Sequence, residues 1–293
     1  MQRLAQFLLL LFALAALPAA AQALPAPLPV VASFSILGDF VREVGGDAVA
    51  LSVIVGPDSD AHVYEPTPAD ARKVSEAKLV FVNGLGLEGW FDRLVAAADA
   101  KARLVVATAG ITPKKLEGGL DPHAWQDVAN ARRYAENIRD ALKAADPARA
   151  ALYEARAAAY IATLDALDKE VASAIAAIPS QRRRIVSTHD AFGYFSARYG
   201  LAFIAPQGVS TEAEPSARDI ARIIDTARRE KVAAVFLENI SDPRLARRLA
   251  KESGVKLGGE LYSDALSKPD GPAPSYVAMM RHNVEELTKA LAR

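Results

Sequence analysis

The sequence predicts an α/β fold with two lobes, each built from a parallel β-sheet flanked by helices. Two observations predict this fold class. Short apolar strand patterns alternate with amphipathic helical patterns along the chain, and one long helical pattern interrupts the alternation near the middle. The 293 residues are 51% hydrophobic and 24% charged, which is typical of a globular protein with an ordinary core.

Charge and cysteine content exclude several classes of function. Lys+Arg and Asp+Glu each number 35, so the formal net charge is zero. The longest basic run is 182–184, and we therefore expect no nucleic-acid partner. The chain has no cysteine, which excludes disulfides, thiolate metal sites, a catalytic thiol and a lipid anchor on an N-terminal cysteine.

The first residues are typical of an export signal. A short positive segment ends at Arg3, an apolar run covers 4–17, and the small residues of 21–23 form a cleavage site. The apolar run is shorter than the roughly 20 residues that a membrane-spanning helix needs. We therefore expect residues 1–23 to be a cleaved signal peptide and the mature protein to lie in the periplasm without a lipid anchor.

We expect residues 24–145 to form the N-terminal lobe. Apolar, β-rich runs predict strands at 28–34, 49–55, 79–82 and 104–107. Helical patterns follow them at 36–44, from 68, at 87–98 and at 127–143. The helix that begins at Pro68 has the clearest start signal, because Thr67 is a good N-cap and Asp70 stands three residues further on.

Residues 146–179 are predicted to form one long linking helix. From 148 to 178 there is no glycine or proline, and apolar residues recur on one helical face. That stripe consists of Tyr153, Tyr160, Leu164, Leu167, Val171, Ile175 and Ile178. From Pro147 onward the helix would extend about 48 Å at about 1.5 Å per residue, enough to tie two lobes together rigidly. A coiled coil is the alternative, but the stripe does not form a clean heptad seam.

The strand and helix alternation then restarts, and we expect 180–293 to form the C-terminal lobe. Strands are predicted at 185–187, 201–205, 233–237 and 255–261. Helices are predicted at 192–199, 215–230, 242–253 and 275–292.

Three histidines and one aspartate occupy loops between these elements. His62 and His123 belong to the N-terminal lobe, and His189 and Asp264 follow strands of the C-terminal lobe. Ligands of open α/β sheets bind at the carboxyl ends of strands, so these residues would face one another across a cleft. Three imidazoles and a carboxylate suit a tetrahedral Zn(II) ion. The fourth histidine, His282, is expected to be a surface or packing residue of the last helix.

Four acidic residues are candidates for orienting the histidine rings. Asp121 and Asp190 are nearest to histidines in sequence, and Glu65 and Glu238 are further possibilities. We expect each of them to be a helix cap, a salt bridge or a solvated loop charge instead.

Several stretches together resemble the ZnuA/TroA-like family of periplasmic solute-binding proteins (cluster A-I), which serve zinc and manganese ABC importers. The stretches are AHVYEPTPADARKVSEAKLVFVNGLGLEGW (61–90), DPHAW (121–125), STHDAFGYFSARYGL (187–201) and LYSDALSKPDGPAPSYVAMMRHNVEEL (261–287). The resemblance implies two lobes joined by a single long helix, with one metal ion between them. It assigns the metal ligands to His62, His123, His189 and Asp264.

The resemblance also implies a function and its partners. The protein would capture zinc and deliver it to an inner-membrane ABC permease, and a periplasmic zinc chaperone could load it. We expect a monomer. Manganese-binding members resemble this pattern but usually carry Glu where His189 stands, so a third histidine favours zinc. Many zinc members carry a His-rich loop before the second ligand, whereas residues 111–121 are short and contain no histidine.

Other functions are open from the residues alone. A manganese-binding member of the same family is one alternative. A zinc hydrolase, with Asp264 as general base, is another, although the sequence has no HExxH or Gly-x-Ser-x-Gly motif. A surface adhesin is a third, and the missing anchor argues against it.

Overall fold

A computed structural model describes residues 26–99, 101–116 and 119–292. The predicted signal peptide, residues 1–23, lies outside these ranges. Among the described residues, no helix combines the length and the apolar character needed to span a bilayer.

The N-terminal sheet has four parallel strands. They are β1 (Leu28–Phe34), β2 (Val49–Val55), β3 (Leu79–Val82) and β4 (Arg103–Val106), in the spatial order β2-β1-β3-β4. The helices between and after them are α1 (Ser35–Gly45), α2 (Pro68–Glu76), α3 (Phe91–Ala98) and α4 (Val128–Ala145). The predicted start of α2 is confirmed, because Thr67 and Asp70 form a reciprocal capping box.

One helix and one hairpin differ from prediction in this lobe. Helix α3 begins at Phe91 and not at 87. The residues before it form a turn, in which the Glu88 carboxylate accepts the backbone N–H groups of Asn83 at 2.6 Å and Gly84 at 3.1 Å. A short antiparallel pair, β5 (Lys115–Leu116) and β6 (Gly119–Leu120), lies within residues 111–121, where the sequence predicts no strand.

A long helix separates the two sheets. A 3₁₀ turn over Pro147–Arg149 leads into α5, which spans Ala150–Ala176. It is shorter than predicted, with a length of about 40 Å at about 1.5 Å per residue. The predicted apolar stripe is buried throughout, from Tyr153 to Ile178. The stripe therefore forms the core contact of this helix.

The C-terminal sheet repeats the topology of the first. Its parallel strands are β7 (Arg184–Val186), β8 (Ala202–Ile204), β9 (Ala234–Glu238) and β10 (Leu257–Leu261), in the order β10-β9-β7-β8. Both sheets thus place their own strands in the order second, first, third, fourth. The helices are α6 (Gly193–Tyr199), α7 (Ala217–Arg229), α8 (Pro243–Ser253) and α9 (Tyr276–Leu291). Together the sheets and helices confirm the predicted α/β fold class.

The final helix connects back to the first lobe. The backbone N–H of Tyr276 donates to Asp39 Oδ2 at 2.8 Å, and the Tyr276 hydroxyl donates to the carbonyl of Trp125 at 2.6 Å. One apolar cluster accordingly runs through the N-terminal lobe, α5 and α9, and a smaller one lies between the second sheet and helices α7 and α8. The larger apolar cluster therefore includes residues of both lobes, next to the loops at the strand ends.

Candidate metal centre

All four residues predicted as ligands meet at the carboxyl ends of strands from both sheets. His62 lies in the loop after β2, His189 after β7 and Asp264 after β10, and His123 lies between the short strand β6 and helix α4. Each offers one ligand atom, and these atoms all lie within 4.8 Å of one another. The two lobes therefore contribute equally to one convergent donor set.

Four of the distances between donor atoms are close to the edges of a small coordination tetrahedron. His62 Nε2 is 3.3 Å from His123 Nε2 and 3.2 Å from Asp264 Oδ2. His189 Nε2 is 3.1 Å from Asp264 Oδ2, and His123 Nε2 is 3.5 Å from Asp264 Oδ1. Ligand bonds of about 2.0 Å, as zinc makes to imidazole nitrogen, give tetrahedral edges of about 3.3 Å. The arrangement is therefore of the right size for such an ion.

The site is almost closed to solvent. His123, His189 and Asp264 are 0% exposed, and His62 is 5% exposed. The rings of His123 and His189 pack edge-on at a centroid distance of 5.3 Å, and Trp125 packs against His123 at 5.3 Å. Such an enclosed pocket strengthens electrostatic attraction for a cation.

Asp121 holds His123 in position. Its Oδ1 atom lies 2.9 Å from His123 Nδ1 and also accepts the backbone N–H of His123 at 3.0 Å. A carboxylate at Nδ1 keeps the proton there, so that loss of the second ring proton frees the Nε2 lone pair on the side of the donor cluster. Of the three roles expected of Asp121, a helix cap, a salt bridge or a solvated loop charge, the salt bridge fits, but its partner is the ring of a ligand histidine. Sequence adjacency does not reveal that the ring folds back onto this carboxylate.

Glu238 is placed against His189. Its Oε2 atom lies 2.7 Å from His189 Nδ1 as an ion-pair contact, while Oε1 accepts the backbone N–H groups of Thr188 at 2.6 Å and His189 at 3.0 Å. Of the three expected roles, a salt bridge fits, but its partner is the ring of a ligand histidine. Glu238 is far from His189 in sequence and reaches it because β9 and β7 are neighbouring strands.

Among the residues that the structure describes, neither of the other two acidic candidates has a hydrogen bond or ion pair to a ligand ring. Burial raises the pKa of Asp190, but this residue is near enough for the charges of His123 and His189 to act against that larger effect and lower its pKa. Glu65 is exposed, and the backbone N–H of Asp190 donates to the carbonyl of Gly208 at 3.2 Å. His282 packs against Tyr262 at 5.3 Å, with Nε2 3.0 Å from the carbonyl of Glu260, as expected of a packing residue.

The segment that carries Asp264 is attached to the N-terminal lobe on both sides. The carbonyl of Ser263 accepts hydrogen bonds from Trp125 Nε1 at 2.9 Å and Gln126 Nε2 at 2.8 Å. The backbone N–H of Leu266 donates to Ser35 Oγ at 3.0 Å. Asp264 therefore belongs to the C-terminal lobe, but its segment is held in place by hydrogen bonds from the N-terminal lobe. The order of residues in the sequence does not show this.

Charge coupling within the site is strong. Burial by itself lowers the pKa of His123, but the Asp264 carboxylate and then the Asp121 hydrogen bond outweigh it and raise the pKa to about 9. Burial likewise opposes protonation of His189, whereas Glu238 and Asp264 raise its pKa well above the ordinary value. Burial raises the pKa of Asp264, yet the His123 and His189 charges hold it well below its usual range. A divalent cation would take the place of these protons.

The two-lobe fold and the buried donor set define the class of a metal-binding solute-binding protein. Residues 30–290 match the family described as "Zinc-uptake complex component A periplasmic", and the chain belongs to this family. Its members are extracytoplasmic solute-binding proteins of ABC transporters, which work with a membrane permease, and are not enzymes.

Relatives and solved structures agree on the family and differ in the metal named. The manganese-binding lipoprotein MntA of Halalkalibacterium halodurans is 36% identical over 267 residues, covering 91% of this chain and 89% of that protein. The iron-binding protein YfeA of Yersinia pestis is 34% identical, covering 90% and 86%. The structure of the periplasmic zinc-binding protein TroA from Treponema pallidum superposes with a TM-score of 0.88 at 31% identity, covering 92% of this chain and all of that one.

Proposed function

We propose that this protein captures one Zn(II) ion per chain, with His62, His123, His189 and Asp264 as its ligands, and delivers it to an inner-membrane ABC importer. The observation that carries the proposal is a buried cluster of three imidazole nitrogens and one carboxylate, all within 4.8 Å of one another, in which four donor distances are 3.1 to 3.5 Å. These donors and distances suit a closed tetrahedral zinc site.

Zinc is preferred over manganese on the chemistry of the donors. Manganese favours oxygen-rich, octahedral coordination, whereas this pocket offers nitrogen from three rings and oxygen from a single side chain. The intrinsic affinity order also places Zn(II) above Mn(II). Manganese and iron, which the names of the relatives MntA and YfeA mention, are the competing cargoes.

The proposal includes export. The N-terminal pattern of residues 1–23 supports a cleaved signal peptide. We further propose that it acts as a monomer. The lobe boundaries at 145 and 179 remain predictions.

Metal analysis of the purified protein tests the cargo. The metal-free protein is equilibrated with equal concentrations of Zn(II), Mn(II) and Fe(II) under anaerobic conditions, desalted and analysed for metal per chain. We expect one zinc per chain and little of the other two metals. Preferential loading of manganese or iron would overturn the zinc assignment, and two tightly bound zinc ions would overturn the single site.

A further inference from the structure

One carboxylate at the mouth of the site connects a ligand loop of one lobe to a loop of the other. Asp60 Oδ1 accepts the backbone N–H of His62 at 2.8 Å. Asp60 Oδ2 accepts the hydroxyl of Thr211 at 2.6 Å. Asp60 belongs to the loop after β2, and Thr211 belongs to the loop between β8 and α7. His62 is therefore connected to the opposite lobe through two hydrogen bonds.

Asp60 and Asp121 occupy equivalent positions in their loops, but the second contact of each carboxylate is different. Each lies two residues before a ligand histidine and accepts that residue's backbone N–H. Asp121 also contacts its own histidine ring, at 2.9 Å, whereas the second oxygen of Asp60 reaches across to Thr211. Of these two carboxylates, that of Asp60 is the one hydrogen-bonded to the opposite lobe.

His62 marks the side of the site nearest to solvent. It is the ligand with measurable exposure, 5%, whereas the other three are 0% exposed. Those three are also flanked by buried hydrogen bonds, to Asp121, Glu238 and the carbonyl of Ser263 respectively. The His62 loop is joined to the C-terminal lobe at two residues. At Asp58 the backbone N–H donates to the carbonyl of Leu266 at 2.9 Å and Oδ1 accepts from Asn239 Nδ2 at 3.3 Å. The contact next to His62, Asp60 to Thr211, is only partly buried. An ion leaving with the least rearrangement would leave past His62.

The Thr211 loop is connected in turn to the ligand of its own lobe. Gln207 Nε2 donates to the carbonyls of Thr211 at 3.2 Å and Ala213 at 3.0 Å, which shapes the loop. Gln207 also forms an isolated parallel bridge with His189. Contacts therefore run without a break from His62 through Asp60, Thr211 and Gln207 to His189.

We propose that the Asp60–Thr211 hydrogen bond is a latch across the mouth of the metal site and that it sets the rate at which the ion is released. Asp60 is a positioning residue, since it acts through His62. The latch holds the His62 loop closed over the loaded site, and breaking it lets the part of that loop next to His62 separate from the C-terminal lobe. This inference rests on the proposed capture of zinc.

Removal of the Thr211 hydroxyl tests the latch. Thr211→Val keeps the shape of the side chain and removes the donor, and Thr211→Ser keeps the donor and serves as the matched control. Zinc-loaded proteins are mixed rapidly with excess chromophoric chelator to measure release, and association is measured with the metal-free proteins. We expect Thr211→Val to release zinc about tenfold faster, the scale of a hydrogen bond to a charged group, with the association rate within about twofold of wild type. Thr211→Ser should behave as wild type.

A double-mutant cycle with Asp60→Ala separates the latch from a general weakening of the loop. If the hydroxyl acts through Asp60, adding Thr211→Val to Asp60→Ala should change the release rate little. Unchanged release in Thr211→Val, or an equal acceleration in both backgrounds, would overturn the latch. Failure of the wild type to hold zinc would instead overturn the proposed cargo, and the same comparison would then be made with manganese.

Discussion

The carboxylate of Asp121 binds His123 twice, at the ring Nδ1 atom and at the backbone N–H, through a single oxygen. This contact fixes both the rotation of the ring and the location of its proton. Glu238 contacts His189 through two oxygens: Oε2 lies 2.7 Å from the ring Nδ1 atom as an ion-pair contact, and Oε1 accepts the backbone N–H at 3.0 Å. Two of the three imidazoles are therefore oriented by buried carboxylates before an ion arrives.

We expect Asp121→Asn to weaken zinc binding by about 10- to 100-fold, because such partners of ligand histidines typically contribute that much. The amide can still accept the His123 backbone N–H, so the loop should stay folded. Glu238→Gln should have a similar effect. Chelator competition measures the affinities, and Glu65→Gln, at an exposed position, is the control. Wild-type affinity in both Asp121→Asn and Glu238→Gln would show that the rings need no such support.

Gly193 supplies the room that Asp121 needs. A Cβ atom at this position would lie 2.5 Å from Asp121 Oδ2, closer than real contacts allow. Since Asp121 is committed to His123, we expect Gly193→Ala to displace the carboxylate and to reduce zinc affinity about tenfold. Gly56→Ala, where a Cβ meets nothing within 4 Å, should leave the affinity unchanged. Equal affinities in the two variants would mean that Asp121 can move without disturbing His123.

We expect His189→Glu to narrow the preference for zinc over manganese without reversing it. The substitution replaces one nitrogen donor by oxygen, while the intrinsic affinity order still favours zinc. Because the new carboxylate would face Glu238, the change should be made both alone and together with Glu238→Gln. Competitive titration gives the ratio of the two affinities. An unaltered ratio in both proteins would show that geometry, and not donor type, sets the selectivity.

Zinc affinity should rise with pH. In the metal-free protein the pKa of His123 is raised to about 9, and that of His189 is also raised, so both rings carry protons at neutral pH. A ligand nitrogen must be unprotonated, and zinc therefore has to displace these protons. Calorimetry at pH 7 in buffers of different ionisation enthalpy should count more than one proton released per zinc. A proton count near zero, with affinity constant between pH 6 and 9, would contradict this charge state.

Sequence patterns predict most of the fold and all four members of the donor cluster. Alternating strands and helices determine the layers, and the glycine-free stripe from Tyr153 to Ile178 predicts the long helix to within a few residues. The ligand loops could be located because the carboxyl ends of parallel strands converge. The strands and helices are predicted from local sequence patterns. The positions of the ligand loops follow from one rule of sheet topology.

What sequence patterns do not reveal are contacts between distant segments. Glu238 reaches His189 through the pairing of β9 with β7, and Thr211 reaches Asp60 across the cleft. The attachment of the Asp264 segment to Trp125 and Ser35 is similarly non-local. Such contacts depend on how the two lobes are placed relative to each other, which periodicity and capping do not specify.

X-ray absorption at the zinc edge of the protein loaded with one equivalent tests the central claim most directly. The account predicts four ligands at about 2.0 to 2.2 Å, three of them showing the outer-shell scattering of imidazole and the fourth an oxygen. Asp264→Ala should keep the three imidazoles and replace the carboxylate oxygen by water, with weaker binding. A wild-type spectrum with fewer than three imidazoles, or with five or six mainly oxygen ligands, would contradict a closed site built from His62, His123, His189 and Asp264.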